Sequence, residues 1–215
     1  MKTTTQLTWS GLRMVGVWLL FGVLAAITAA GGDTGKTQQQ LKAALEAHQG
    51  EFDYLLGDWQ FTANSKQFGR MKGYWSAVKL GDGGQVLDEF RVVGDKGQTL
   101  YSSLTLRVYN PYLERWELVT LDRRDGLQNF GTARREGPEM LIEQKFGAVT
   151  PEPSLWHIRY HDIKADYFSW SADRSKDEGK TWQKDFETIE AKRIGPPRTM
   201  EPLTAGHKAT ASVLP

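Results

Sequence analysis

The sequence predicts a closed, antiparallel, up-and-down β-barrel, and three observations predict it. Turn signals recur about every 12–15 residues between Trp59 and Ile194. The runs between them alternate apolar and polar residues, the period of a strand with one buried face. No helical stretch long enough for a crossover interrupts them, so no parallel sheet is expected. About nine or ten strands are expected, and a meander of that many removes its edges most simply by closing on itself. A two-sheet sandwich is the alternative.

The elements follow in chain order. Residues 1–30 carry two charges, Lys2 and Arg13, and "MVGVWLLFGVLAAITAA" from Met14 to Ala30 has none. A basic start, an apolar run and a small-residue end describe an export signal cut after Ala30, hence a periplasmic or secreted protein. The alternative is an uncleaved membrane anchor, although the run is a little short of the roughly 20 residues that span a bilayer. Residues 31–50 are a linker and an N-terminal helix. "GGDTGKTQQQ" is polar and Gly-containing, and Leu41, Ala44, Leu45 and His48 then form one helical stripe. Phe52, Leu55 and Leu56 make a second short turn that Gly57 ends.

Residues 51–194 are the barrel domain. Its turns include "GDGG" (81–84), "GDKG" (94–97), "NPYLE" (110–114), "RRDG" (123–126) and "EGP" (136–138). In "VLDEFRV", Val86, Phe90 and Val92 face one way and Glu89 and Arg91 the other. In "LYSSLTLRV", Leu100, Leu104, Leu106 and Val108 share a face opposite Tyr101, Ser103, Thr105 and Arg107. Met140, Ile142 and Phe146 face together, as do Trp156, Ile158 and Tyr160. Residues 195–215 have Pro, Gly and polar residues without a period and are expected to be a disordered tail.

Composition narrows the function. Cleavage after Ala30 removes two of the 27 basic residues and none of the 26 acidic ones, leaving 25 against 26. That balance gives no footprint for nucleic acid, and no membrane partner is expected apart from the export signal. The absence of Cys rules out disulfides, Cys-ligated zinc and thiol catalysis. Oligomeric state is open.

Three motifs carry a resemblance. "FDYLLGDW" (52–59) places a short turn before Gly57-Asp58-Trp59, "YNPYLERW" (109–116) closes a middle strand, and "SKDEGKTW" (175–182) comes late. The chain resembles the lipocalin-like (calycin) barrels over roughly residues 51–194, and more narrowly a family of exported bacterial proteins with no assigned reaction. The resemblance implies that Trp59 plugs one end of the barrel beneath a basic residue of the last strand, Arg193 or Lys192. It implies fold and compartment, not chemistry.

"SKDEGKTW" also fits the S-x-D-x-G-x-T-W box of sialidase-type propellers. A propeller needs several blades of about 40–50 residues, and one box occurs here. Asp177 and Gly179 are turn formers, so the box is expected to organise a hairpin.

Other chemistry is sparse. His157 and His161, as H-x3-H on a strand, lie roughly 13 Å apart, too far for one metal ion. Asp88 and Glu89 are adjacent and face opposite ways. Glu89 and Arg91, with Glu117 or Arg107, are either an interior polar cluster or solvent-facing ion pairs. No phosphate loop, nucleophile elbow, metal set or catalytic residue is identified, and no cofactor is assigned.

The aromatics remain. By alternation, Phe90, Leu104, Leu118, Ile142, Trp156, Tyr160 and Trp170 are the expected lining of a cavity for a small apolar or aromatic ligand. An ordinary aromatic core is the competing reading. Three functions stay open: an exported binder, an enzyme of isomerase or cyclase type using the cavity, and a ligand-free barrel acting through its surface. Buried Arg, Glu or His would favour the enzyme, and a filled interior the last.

Overall fold

The computed structural model describes residues 35–81 and 84–200. The expected signal peptide, the residues next to it up to Thr34 and the tail from Glu201 lie outside the described residues. Ten antiparallel strands run in simple succession: β1 (Gly57–Ser65), β2 (Gly69–Leu80), β3 (Gln85–Val93), β4 (Thr99–Asn110), β5 (Arg115–Asp122), β6 (Gly126–Glu136), β7 (Glu139–Phe146), β8 (Ser154–His161), β9 (Tyr167–Ser175) and β10 (Gln183–Gly195). Each pairs with its neighbours in sequence, and β1 pairs with both β2 and β10. The sheet is therefore a closed barrel with no free edge among these ten strands.

One helix, α1 (Gln38–His48), precedes the barrel. Thr37 caps it: its hydroxyl accepts from the Gln40 N–H, and the Gln40 side chain accepts from the Thr37 N–H. Leu41, Ala44 and Leu45 turn toward the barrel. A single 3₁₀ turn, η1 (Asp53–Leu55), then leads into β1.

An eleventh strand, β11 (Arg198–Met200), pairs in parallel with Val78–Leu80 of β2. This corrects two expectations, since a strand falls within the stretch assigned to the tail and one pairing is parallel. The reason is geometric. β10 and β2 both run antiparallel to β1, so a chain continuing past the start of β1 reaches β2 already aligned with it. No crossover is needed, and Arg198 fixes the join through Asp58.

The two ends of the barrel differ. The β2–β3, β4–β5, β6–β7 and β8–β9 turns share one end with α1 and η1, and that end is closed. Trp59 is fully buried there, donates from Nε1 to the Leu55 carbonyl at 2.8 Å and lies 4.0 Å beneath the Arg193 guanidinium. Arg193 also donates to the carbonyls of Tyr54, Leu56 and Ala165. Gly57 makes room for it. Its φ is +103°, and a Cβ would meet Arg193 Nη1 at 2.6 Å. Of the two basic residues expected over Trp59, the chain uses Arg193.

Candidate functional site

Inside the barrel, above the closed end, lies a cavity of about 1120 Å³ that opens toward the β1–β2, β3–β4, β5–β6 and β7–β8 connections. Alternation explains its wall, because every second residue of each strand points inward. β7 contributes Ile142 and Gln144, β8 contributes Trp156, Ile158 and Tyr160, and β9 contributes Trp170 and Arg174.

Of the seven expected lining residues, Phe90, Leu118, Ile142, Trp156, Tyr160 and Trp170 stand on the cavity wall. Leu104 does not. It is 48% exposed, on the outside of the barrel. The alternation of β4 is as read, but its apolar face is the outer one. Tyr101, Ser103, Thr105 and Arg107 point in, Leu104 and Val108 point out, and Leu100 is exposed at the cavity rim. The reason lies along the wall, where the inward residues of β4 meet polar partners on the adjoining strands β3 and β5. Thr105 and Thr120 share a hydrogen bond of 3.0 Å, and Arg107 pairs with Asp88.

The Asp88–Arg107 ion pair is the largest departure from the sequence reading. Both groups are almost wholly buried. Trp75 Nε1 donates to Asp88 Oδ1 at 2.7 Å, and the Arg107 guanidinium lies 5.2 Å from the Phe52 ring centroid. The pair sits on a floor of packed aromatics. Phe52 meets Trp116 edge-on at 4.9 Å, and Trp59 meets Phe168 at 4.8 Å. Burial there pushes the Tyr160 phenol up to about 12 and Tyr54 well above its ordinary value. The polar cluster is thus interior and includes Arg107, one of the expected members, but its partner is Asp88, and Glu89, Arg91 and Glu117 are not on the cavity wall. A signal was present: Asp88 falls between Val86 and Phe90 in the same parity.

Glu187 is the other residue the sequence reading missed. It reaches the cavity from β10, opposite Ser65 of β1. Burial raises its carboxyl to about 7, and a hydrogen bond with the Ser65 side chain offsets only part of that rise. A signal was present in its parity with Ile189 and Ala191, both buried, although a bulge before Glu187 breaks the alternation upstream in β10.

Near the mouth, Trp156 packs against Phe146 at 4.4 Å and edge-on to Phe186 at 5.2 Å. Arg174 lies 3.6 Å over the Phe186 ring and is held by Gln183 and Gln67. The "SKDEGKTW" box is the β9–β10 hairpin. Asp177 accepts from the Thr181 N–H at 2.9 Å and the Thr181 hydroxyl at 2.6 Å, which holds its carboxyl at about 2. Ser175 Oγ accepts from the Gly179 N–H at 2.8 Å. Every one of these contacts stays within the turn. His157 stands on the outer wall, stacked on Trp182 at 3.9 Å, and His161 sits beside Asp162 at 2.7 Å.

Neither a protein-family model nor a curated protein matches the chain. Among solved structures it is similar to a redesigned β-barrel, mFAP1, bound to DFHBI. That likeness has 11% identity over 65% of this chain and 95% of the other, with a TM-score of 0.34. It is also similar to EF1p2_mFAP2b bound to DFHBI, at 12% identity over 70% of this chain and 98% of the other, with a TM-score of 0.35. At such TM-scores neither bears on what this barrel holds.

Proposed function

We propose that this protein binds a small, largely apolar or aromatic molecule inside its barrel, as an exported carrier or receptor of the lipocalin-like kind. The carrying observation is the open cavity of about 1120 Å³ walled by Phe90, Leu118, Ile142, Trp156 and Trp170. Leu118, Ile142 and Trp170 are rooted in the core, Phe90 and Trp156 pack against it, and all five contribute surface to the cavity wall. A molecule that covered them would gain about 25 cal/mol per Å² of apolar surface removed from water.

The wall also sets limits on the ligand. Thr105, Thr120, Asn129 and Gln144 bond to each other in pairs. They present polar edges without free charge, which suits an amphipathic molecule better than a bare hydrocarbon. The enzyme alternative required an inward polar pair. Asp88 and Arg107 form one, but each is neutralised by the other and fixed within the floor, so the pair serves the architecture.

Native mass spectrometry of protein taken from its own host should show a bound small molecule. Flat aromatic dyes and long-chain fatty acids should quench tryptophan emission saturably, with weaker quenching in Trp156→Ala. Stoichiometric binding that a bulky Leu118→Trp substitution weakens would support the reading. If no compound in such a panel binds, the reading fails.

A further inference from the structure

We propose that the cavity selects organic cations, holding a protonated amine between the Glu187 carboxylate and the aromatic faces of Phe90 and Tyr101. This rests on the binding reading above and names the ligand class.

The argument starts from how the cavity's acids are matched. Asp88 is paired with Arg107, Asp125 with Arg124 and Asp95 with Lys72. Asp122 caps its turn, accepting the backbone N–H groups of Arg124 and Asp125 at 2.7 Å each. Glu152 is exposed at the rim. Glu187 is different. It faces the cavity, and the Ser65 hydroxyl is its hydrogen-bond partner. The basic residue on the adjoining strand, Arg174, spends its guanidinium nitrogens on Gln183 and Gln67.

A carboxylate turned into an apolar space needs a proton or a cation, because the uncompensated charge is costly there. The same cavity wall also carries Tyr101 from β4, Asp122 from β5, Arg124 and Asp125 from the β5–β6 turn, Arg70 and Lys72 from β2 and Arg174 from β9. Arg124 is paired with Asp125 and Lys72 with Asp95, Arg70 is exposed at the rim, and among the described residues none of these cations forms an ion pair with Glu187. At Glu187 itself an anionic group would therefore add repulsion, and a cationic one would remove a deficit. The aromatic surfaces act in the same direction. Phe90 stacks on Phe61 at 4.6 Å and lies 6.4 Å from Tyr101, and both Phe90 and Tyr101 line the same cavity as the acid. A carboxylate next to aromatic rings attracts an ammonium group through both charge and quadrupole.

The test uses three naphthalenes of one shape: 1-naphthylmethylamine, 1-naphthalenemethanol and 1-naphthoic acid. Calorimetric titration at pH 8 should give the amine at least a tenfold lower Kd than the alcohol, with the acid weakest. Amine affinity should rise about tenfold from pH 5.5 to pH 8 as Glu187 loses its proton, and alcohol affinity should stay flat. Glu187→Gln should abolish the amine preference, bringing the amine and alcohol Kd values within about twofold of each other. Equal binding of amine and alcohol, or tightest binding of the acid, overturns the proposal and leaves the cavity reading standing. Retention of the amine preference in Glu187→Gln also overturns it. Binding of none of the three overturns both.

Discussion

Glu187 shows how much one side chain alters at a strand's inner face. Its folded carboxyl titrates near 7, whereas an unfolded glutamate titrates near 4.3. Between those values the folded protein binds the extra proton, so stability falls as pH rises through that window. Above about pH 7 the whole penalty is present, and below about pH 4 none of it is. Glu187→Gln should therefore be more stable than wild type at pH 8, by on the order of 3–4 kcal/mol, and unfold at a higher temperature. The two should coincide near pH 4. Calorimetric scans of both proteins across that range check this, and parallel curves would place the titrating group elsewhere. Asp177 is shifted the opposite way, because its charge is used within a hairpin by the hydroxyl and N–H of Thr181. Two carboxylates of one domain thus differ by about five units for local reasons alone.

At the scale of the strand, β4 is the instructive element. Its alternation was legible from the sequence, but its orientation was not. An apolar face signals "inward" only where the interior is dry. This barrel holds Ser103, Thr105 and Arg107 inside, so hydrophobicity alone pointed the wrong way for Leu104. β3, β7 and β8 were legible because Val86, Phe90, Met140, Ile142, Trp156 and Ile158 face the interior without competition. The Trp59–Arg193 plug was legible through the motif resemblance. The inward parity of Asp88 and Arg107 could be read, but their pairing was hidden because it spans two strands, and a sequence reading has no access to cross-strand register. The corrected orientation has a direct consequence. Leu104→Ser should change stability by no more than about 0.5 kcal/mol and leave dye affinity unaltered. Leu118→Ser, on the facing inner wall, should cost about 2–4 kcal/mol and weaken dye binding. Chemical denaturation and fluorescence titration of both variants separate the two faces.

On the scale of the molecule, asymmetry between the ends is the main feature. One end is stoppered by α1, η1, Trp59 and Arg193, and the other admits solvent. The helix is tied to the closed end through Lys36, which donates to the Pro111 carbonyl at 3.1 Å and pairs with Glu114 at 2.6 Å. His48 adds a stack on Tyr109 at 4.7 Å. The helix thus meets the barrel at the stoppered end, and the cavity opens at the far one.

The seam between β1 and β10 has a kinetic meaning. Trp59 pairs with Arg193, and Phe61 with Ala191, so the contact that completes the wall joins the first strand of the barrel to the tenth. Loop entropy must be spent across nearly the whole domain before that contact forms, which makes a slow, all-or-none folding reaction the expectation. Until β10 arrives, β1 and β9 each offer a bare row of amide and carbonyl groups to any other chain nearby. A chain shortened to end at Gly179 should therefore aggregate instead of unfolding cooperatively. A circular permutant with its new ends in the 147–153 loop keeps every strand pair and should melt in one transition. Light scattering and thermal scans of the two distinguish them. For a nascent chain, the risk of mispairing lasts until the final strand has been made.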